Sequence, residues 1–80
     1  MTAAQQRAVR AAVRYGNALF RARKELRALD DIALCKRLGK YQGRTMGEVR
    51  TRYRNPYGSS VKSIDRRTVI DLIAGYEVPA

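Results

Sequence analysis

The chain has 80 residues, with 17 Lys or Arg against 7 Asp or Glu, one cysteine, no histidine and a formal net charge of +10. Such a length makes one small domain that buries only about 60% of the surface its unfolded chain exposes. A lone cysteine without histidine excludes an intrachain disulfide and a Cys/His zinc site, and the longest uncharged run is far short of the roughly 20 residues that span a bilayer.

The first element is the longest. Ala8, Ala12, Tyr15, Leu19, Ala22, Leu26 and Leu29 alternate in steps of four and three, which predicts an amphipathic helix over residues 3–29. At about 100° per residue, Arg7, Arg10, Arg14, Asn17, Arg21 and Lys24 occupy a separate arc opposite that seam. Val9, Val13 and Phe20, with Gly16 beside them, form a third arc that widens the apolar side beyond half the circumference. Little remains of the chain to cover both apolar arcs. Val9, Val13 and Phe20 are therefore expected to face a second copy in a homodimer, or a dedicated protein partner.

The arginine stripe could be an ordinary solvated face. Such faces usually mix signs to gain pairs one turn apart, yet Glu25 is the only acid in this helix and lies off the stripe. A polyanion alongside would offset the repulsion, since Arg7 to Lys24 spans roughly 25 Å. The basic face is not read as a membrane anchor, because its apolar side is mostly alanine and the chain has no tryptophan.

Asp30 can cap a second helix over residues 31–38, with Asp31 favourable in its first turn. Leu34, Cys35 and Leu38 make its inner face, Lys36 and Arg37 suit its C-terminal end, and Gly39 reads as the residue that stops it. Cys35 among Ile32, Leu34 and Leu38 reads as a small buried side chain. A free thiol and no secretory leader fit a cytoplasmic protein.

Residues 46–63 support two structures. Thr45-Met46-Gly47-Glu48 is a capping box that opens a helix with Met46, Val49 and Tyr53 inward and Arg50, Thr51, Arg52 and Arg54 on the outside or flanks. The run from Val49 to Arg54 also alternates with period two, and Asn55-Pro56-Tyr57-Gly58 is a turn signal, so Ser59 to Ile64 could return as the second strand of a hairpin. Either way Arg44, Arg50, Arg52 and Arg54 cluster near tyrosines. The last helix is expected over residues 64–75, capped by Ser63 or Asp65, ended by Gly75 and packed on the seam of the first helix. Tyr76 to Ala80 reads as a tail.

The expected fold is all-α, three to four helices organised on the long N-terminal helix, with one short β-hairpin near residues 49–64 as the variant. The second helix, a loop and the third element resemble a helix-turn-helix unit. Their connection does not match, since Gly39 to Arg44 makes about six residues where three or four are usual.

Basic residues concentrate in two segments: residues 3–29 and 36–54 each carry seven cations and one acid, whereas residues 62–77 carry three of each. Thirteen of the seventeen cations are arginine, suited to bidentate phosphate or guanine contacts. The functional expectation is a small nucleic-acid-binding protein, duplex DNA ahead of RNA, regulatory or accessory, of the kind phages and mobile elements encode. Its contacts are assigned to Arg7, Arg10, Arg14, Arg21, Lys24, Arg44, Arg50, Arg52 and Arg54. Tyr41, Tyr53 and Tyr57 among these cations leave single strands as a weaker option. The competing expectation is a regulator or inhibitor that docks its basic surface on an acidic or nucleic-acid-handling protein. No cofactor, no metal and no enzymatic role is expected, because no nucleophile, base or carboxylate pair stands out.

Overall fold

The computed structural model describes residues 2–57 and 63–78. Four helices follow in order: α1 over Ala3–Arg27, α2 over Asp31–Gln42, α3 over Met46–Arg52 and α4 over Arg66–Glu77. The molecule is elongated, 53 × 26 × 19 Å, with a radius of gyration of 15.8 Å. A compact chain of this length has about 11.6 Å.

The elongation has one cause. The core consists of Leu26, Leu34, Cys35, Leu38, Val49, Ile64, Val69, Ile70, Ile73 and Ala74, and none of these lies before Leu26. Leu19, Ala22 and Leu29 pack at its edge. Every residue from Ala3 to Asn17 is exposed, so the first three-fifths of α1 project from a body made by its last turns and α2 to α4. The C-terminal helix packs on the α1 seam as expected, but only on its C-terminal part. Ala8, Ala12 and Tyr15, read as the same seam, stay bare because the rest of the chain is too short to reach them.

Each helix start is chemically defined. Thr2 and Gln5 form a capping box on α1, and Thr45 and Glu48 form another on α3. Asp30 accepts the Ala33 N–H at 2.8 Å on α2, and Asp65 accepts the Thr68 N–H at 3.3 Å on α4.

α1 ends at Arg27, two residues short of the expected Leu29, and two other helix ends move outward. α2 does not stop at Leu38 but runs through Gly39 to Gln42, and Gly43, in the left-handed region at φ 67°, ends it instead. Gly39 serves another purpose. A Cβ there would lie 2.4 Å from the Arg44 carbonyl oxygen, so only glycine lets the chain after Gly43 fold back this closely. The Arg44 N–H donates to the Gly39 carbonyl at 2.9 Å across the same contact. α4 likewise runs through Gly75 to Glu77, beyond the expected end, and Tyr76 and Glu77 belong to the helix rather than a tail.

For the ambiguous segment, residues 46–52 are helical, and no hairpin forms among the described residues. The alternation from Val49 to Arg54 is overridden by the Thr45–Glu48 cap and by burial of Val49 against α2. What survives of strand pairing is one antiparallel bridge between Arg54 and Ile64, flanked by Asn55 N–H to Ser63 carbonyl at 2.9 Å and Asp65 N–H to Tyr53 carbonyl at 2.7 Å. Asn55 to Tyr57 do turn, with the Tyr57 N–H donating to Asn55 Oδ1 at 3.0 Å, whereas Gly58 and most of the returning strand expected over Ser59 to Ile64 fall outside the described residues.

Candidate nucleic-acid interface

The arginine stripe of α1 sits on the projecting part and the turns that follow it. Arg7, Arg10, Arg14, Arg21 and Lys24 are all exposed, and none takes part in an ion pair among the described residues. The neighbouring apolar arc is equally bare: Val9 is 50%, Val13 56% and Phe20 63% exposed.

A second basic surface comes from α2, its turn and α3. Because α2 extends to Gln42, the connection to α3 is Gly43, Arg44 and Thr45, three residues rather than six. That is the length of a helix-turn-helix turn. Val49 packs against α2 beside Gly39, which leaves Gly47, Glu48, Thr51 and Arg52 on the outer side of α3. With Arg44 and Thr45 they line an open groove of about 580 Å³. The Thr51 hydroxyl donates to the Gly47 carbonyl at 3.0 Å, and the Arg52 guanidinium lies 6.0 Å from the Tyr53 ring centre.

Arg54 is exposed beside the bridge to Ile64, whereas Arg50 turns inward. Its Nε is buried with no hydrogen-bond partner among the described residues. Burial pushes the pKa of the Cys35 thiol up, the Arg50 charge pulls it down by less, and Asp31 adds a smaller upward effect. The net direction is upward, so Cys35 stays a protonated core thiol.

Two of the three interleaved tyrosines are already engaged. Tyr41 stacks on Tyr76 at 5.1 Å and 3°. The Tyr53 hydroxyl accepts from Gln42 at 3.1 Å, and that hydrogen bond, ahead of burial, sets the downward direction of its pKa. Tyr57 is 95% exposed.

The acidic residues explain why the positive charge is left over. Asp30, Glu48 and Asp65 cap helices. Asp31 pairs with Arg66, Asp71 with Arg23, and Glu77 with Arg37. Glu25 alone has neither task among the described residues. Six of the seven carboxylates are thus spent on building the body, and the seventh, Glu25, pairs with none of the stripe cations among the described residues.

One cluster escapes sequence reasoning. Arg23 and Arg27 from the end of α1 and Arg66 and Arg67 from the start of α4 line a pocket of about 520 Å³, with Ile70 and Asp71. Arg66 is structural, since it pairs with Asp31 and donates to the carbonyls of Arg27 at 3.2 Å and Leu29 at 2.7 Å, closing the open end of α1. Arg67 is exposed and adds to the basic surface. The convergence of residues about forty positions apart leaves no local signal, and the balanced charge of residues 62–77 hides it.

Among the described residues no group of three or more Cys, Asp or Glu could hold a metal, and no helix is long and apolar enough to cross a membrane. No protein-family model, curated protein or solved structure matches the chain.

Proposed function

We propose that the protein binds nucleic acid, duplex DNA in the first place, in a regulatory or accessory role. The observation that carries this reading is the α1 stripe: five cations along roughly 25 Å of the long helix, with no carboxylate paired to them among the described residues. Duplex DNA carries one negative charge per roughly 1.7 Å of axis, so a helix of this length meets several phosphates and releases their counterions. Phosphate contacts of this kind position a protein without reading sequence.

Base contacts fall to α3. Its seven residues are about 10 Å long and the major groove is about 12 Å wide. Arg44, Thr51 and Arg52 reach outward from the turn and the outer face, and Arg54 flanks them in a wing-like position. Arg50 supports the unit from inside rather than contacting bases. Engagement of Tyr41 and Tyr53 within the fold removes two of three stacking platforms, which favours a duplex over single strands.

Competition anisotropy with a 30-base-pair duplex and a single strand of the same sequence tests the ordering. The duplex is expected to compete at least tenfold better, and Arg52→Ala to weaken selective binding more than non-selective binding. Equal competition by the single strand would overturn the duplex assignment. The second reading, a regulator docked on an acidic protein, is favoured by one observation, the exposed Val9, Val13 and Phe20 beside the stripe.

A further inference from the structure

The bare apolar arc of α1 has its own heptad spacing: Val9, Val13, Gly16 and Phe20 step by four, three and four. Gly16 stands in the middle of a 25-residue helix, and nothing lies within 4 Å of a Cβ built on it. Glycine is the least favourable residue of a helix interior after proline, and this one marks the shallowest point of an exposed face. We infer that the arc is the contact surface for a second copy of the chain, laid antiparallel.

The spacing reads the same in both directions. An antiparallel pair centred between Arg14 and Tyr15 sets Val13 opposite the partner's Gly16 and Phe20 opposite the partner's Val9, the layer pattern of antiparallel coiled coils. A parallel pair would face Gly16 with Gly16 and leave a gap there. Charge separates the two more sharply. The same seam continues through Arg23 and Arg27. Asp71 of the same chain already holds Arg23, so the exposed Arg27 decides: a parallel pair stacks it on its own copy, whereas the antiparallel pair sets it against the partner's Thr2. On the flanks Arg10 then meets the partner's Asn17, and Ala12 meets the partner's Leu19. No two cations face each other across the contact.

The area suffices for a weak dimer. The two apolar arcs cover about half the circumference, and over the roughly 27 Å from Ala3 to Phe20 their burial removes about 500 Å² per copy, near the lower limit of about 1,000 Å² for a specific interface. The chain has surface in surplus, since it exposes 6051 Å² where a compact protein of its 9.1 kDa exposes about 4,900 Å².

The two-fold axis of an antiparallel pair runs perpendicular to both helices, so both arginine stripes fall on one side, two helices wide. A parallel pair would place them on opposite sides. This merging of the stripes gains its meaning from the nucleic-acid reading; the contact itself does not depend on it.

Sedimentation velocity on the full chain without nucleic acid, from about 10 to 500 μM in 0.3 M salt, tests the surface. The expected result is a shift to dimer mass with rising concentration, abolished by Phe20→Asp with the thermal unfolding of the body unchanged. Orientation follows from thiol cross-linking in a glutathione buffer: Cys35 is buried, so introduced thiols react first. A mixture of Val13→Cys and Gly16→Cys chains is expected to cross-link to each other at least fivefold more than either does to itself. A monomer at the highest concentration would overturn the contact, and preferential 13–13 cross-linking would overturn the antiparallel arrangement. A monomer that still binds DNA would remove this inference alone, and a dimer that binds no DNA would remove only the nucleic-acid reading.

Discussion

Gly39→Ala should disrupt the α2–α3 turn although it replaces the poorest common helix residue with the best. The added Cβ would sit 2.4 Å from the Arg44 carbonyl oxygen and 3.5 Å from a Val49 methyl, so that carbonyl must retreat by at least 0.6 Å to reach 3.0 Å. Moving it strains the two bonds that close the turn, from the N–H groups of Gly43 and Arg44 to the Gly39 carbonyl. Each contributes about 1 kcal/mol, and overpacking adds about 1–3 kcal/mol, against a helix-propensity gain of about 1 kcal/mol. The net expectation is about 2 kcal/mol of destabilisation, a fall in Tm of about 8–16 °C for a body of this size. Gly75→Ala is the internal control: it too lies inside a helix, but nothing stands within 4 Å of its Cβ, so it should stabilise by about 0.5–1 kcal/mol. Circular-dichroism melts of the two variants check both signs. A Gly39→Ala protein that melts at or above the parent would refute the close-approach argument.

Leu38→Ala removes a fully buried side chain and should cost about 2–5 kcal/mol, enough to unfold much of so small a body at 25 °C, read as lost ellipticity at 222 nm. Acid should destabilise the fold through its caps. The Thr45 N–H and hydroxyl hold Glu48 below the ordinary carboxylate range, and the Thr68 hydroxyl and N–H do the same for Asp65. Because both folded values lie below the unfolded ones, their contribution is complete above about pH 5 and is lost as pH falls through the unfolded and then the folded values. Melts between pH 7 and 2.5 should show that fall, and Asp65→Asn with Glu48→Gln should flatten it. The Cys35 thiol should resist an aromatic disulfide reagent at pH 8 until denaturant unfolds the body, and rapid labelling of the native protein would contradict its burial.

The sequence made the helical class and the starts of α2 and α3 legible, because caps are local chemistry: Asp30 and Thr45 act where their neighbours predict. Of the two caps offered for α4, Ser63 and Asp65, the fold uses Asp65, while the Thr2–Gln5 box on α1 went unread. The misplaced ends of α2 and α4 share a cause. Gly39 and Gly75 look like terminators, but a glycine also serves where backbones approach closely or where nothing is required of it, and only the fold distinguishes these uses. The Gly39 misreading lengthened the apparent turn to six residues and hid the three-residue turn that actually joins α2 to α3. The α1 periodicity was legible over its whole length, yet the pattern does not say how much partner surface the chain itself supplies. Leu19 to Leu29 found it and Ala8 to Tyr15 did not. Within the candidate site, the exposure of Arg44, Arg52 and Arg54 follows from the capping-box register. The same register left Arg50 outside or on a flank, and the burial of its Nε depends on how α3 rests against α2.

The most direct test of the nucleic-acid reading is fluorescence anisotropy of a random-sequence 30-base-pair duplex between 50 and 200 mM salt. Five phosphate contacts by the α1 stripe give a slope of log K against log salt of about −4.5, a loss of about 500-fold across that range. The Arg10, Arg14 and Arg21 to Ala variant, with three contacts fewer, should fall only about 12-fold over the same range. No binding at 50 mM, or a slope that the three substitutions leave unchanged, would contradict phosphate tracking by α1.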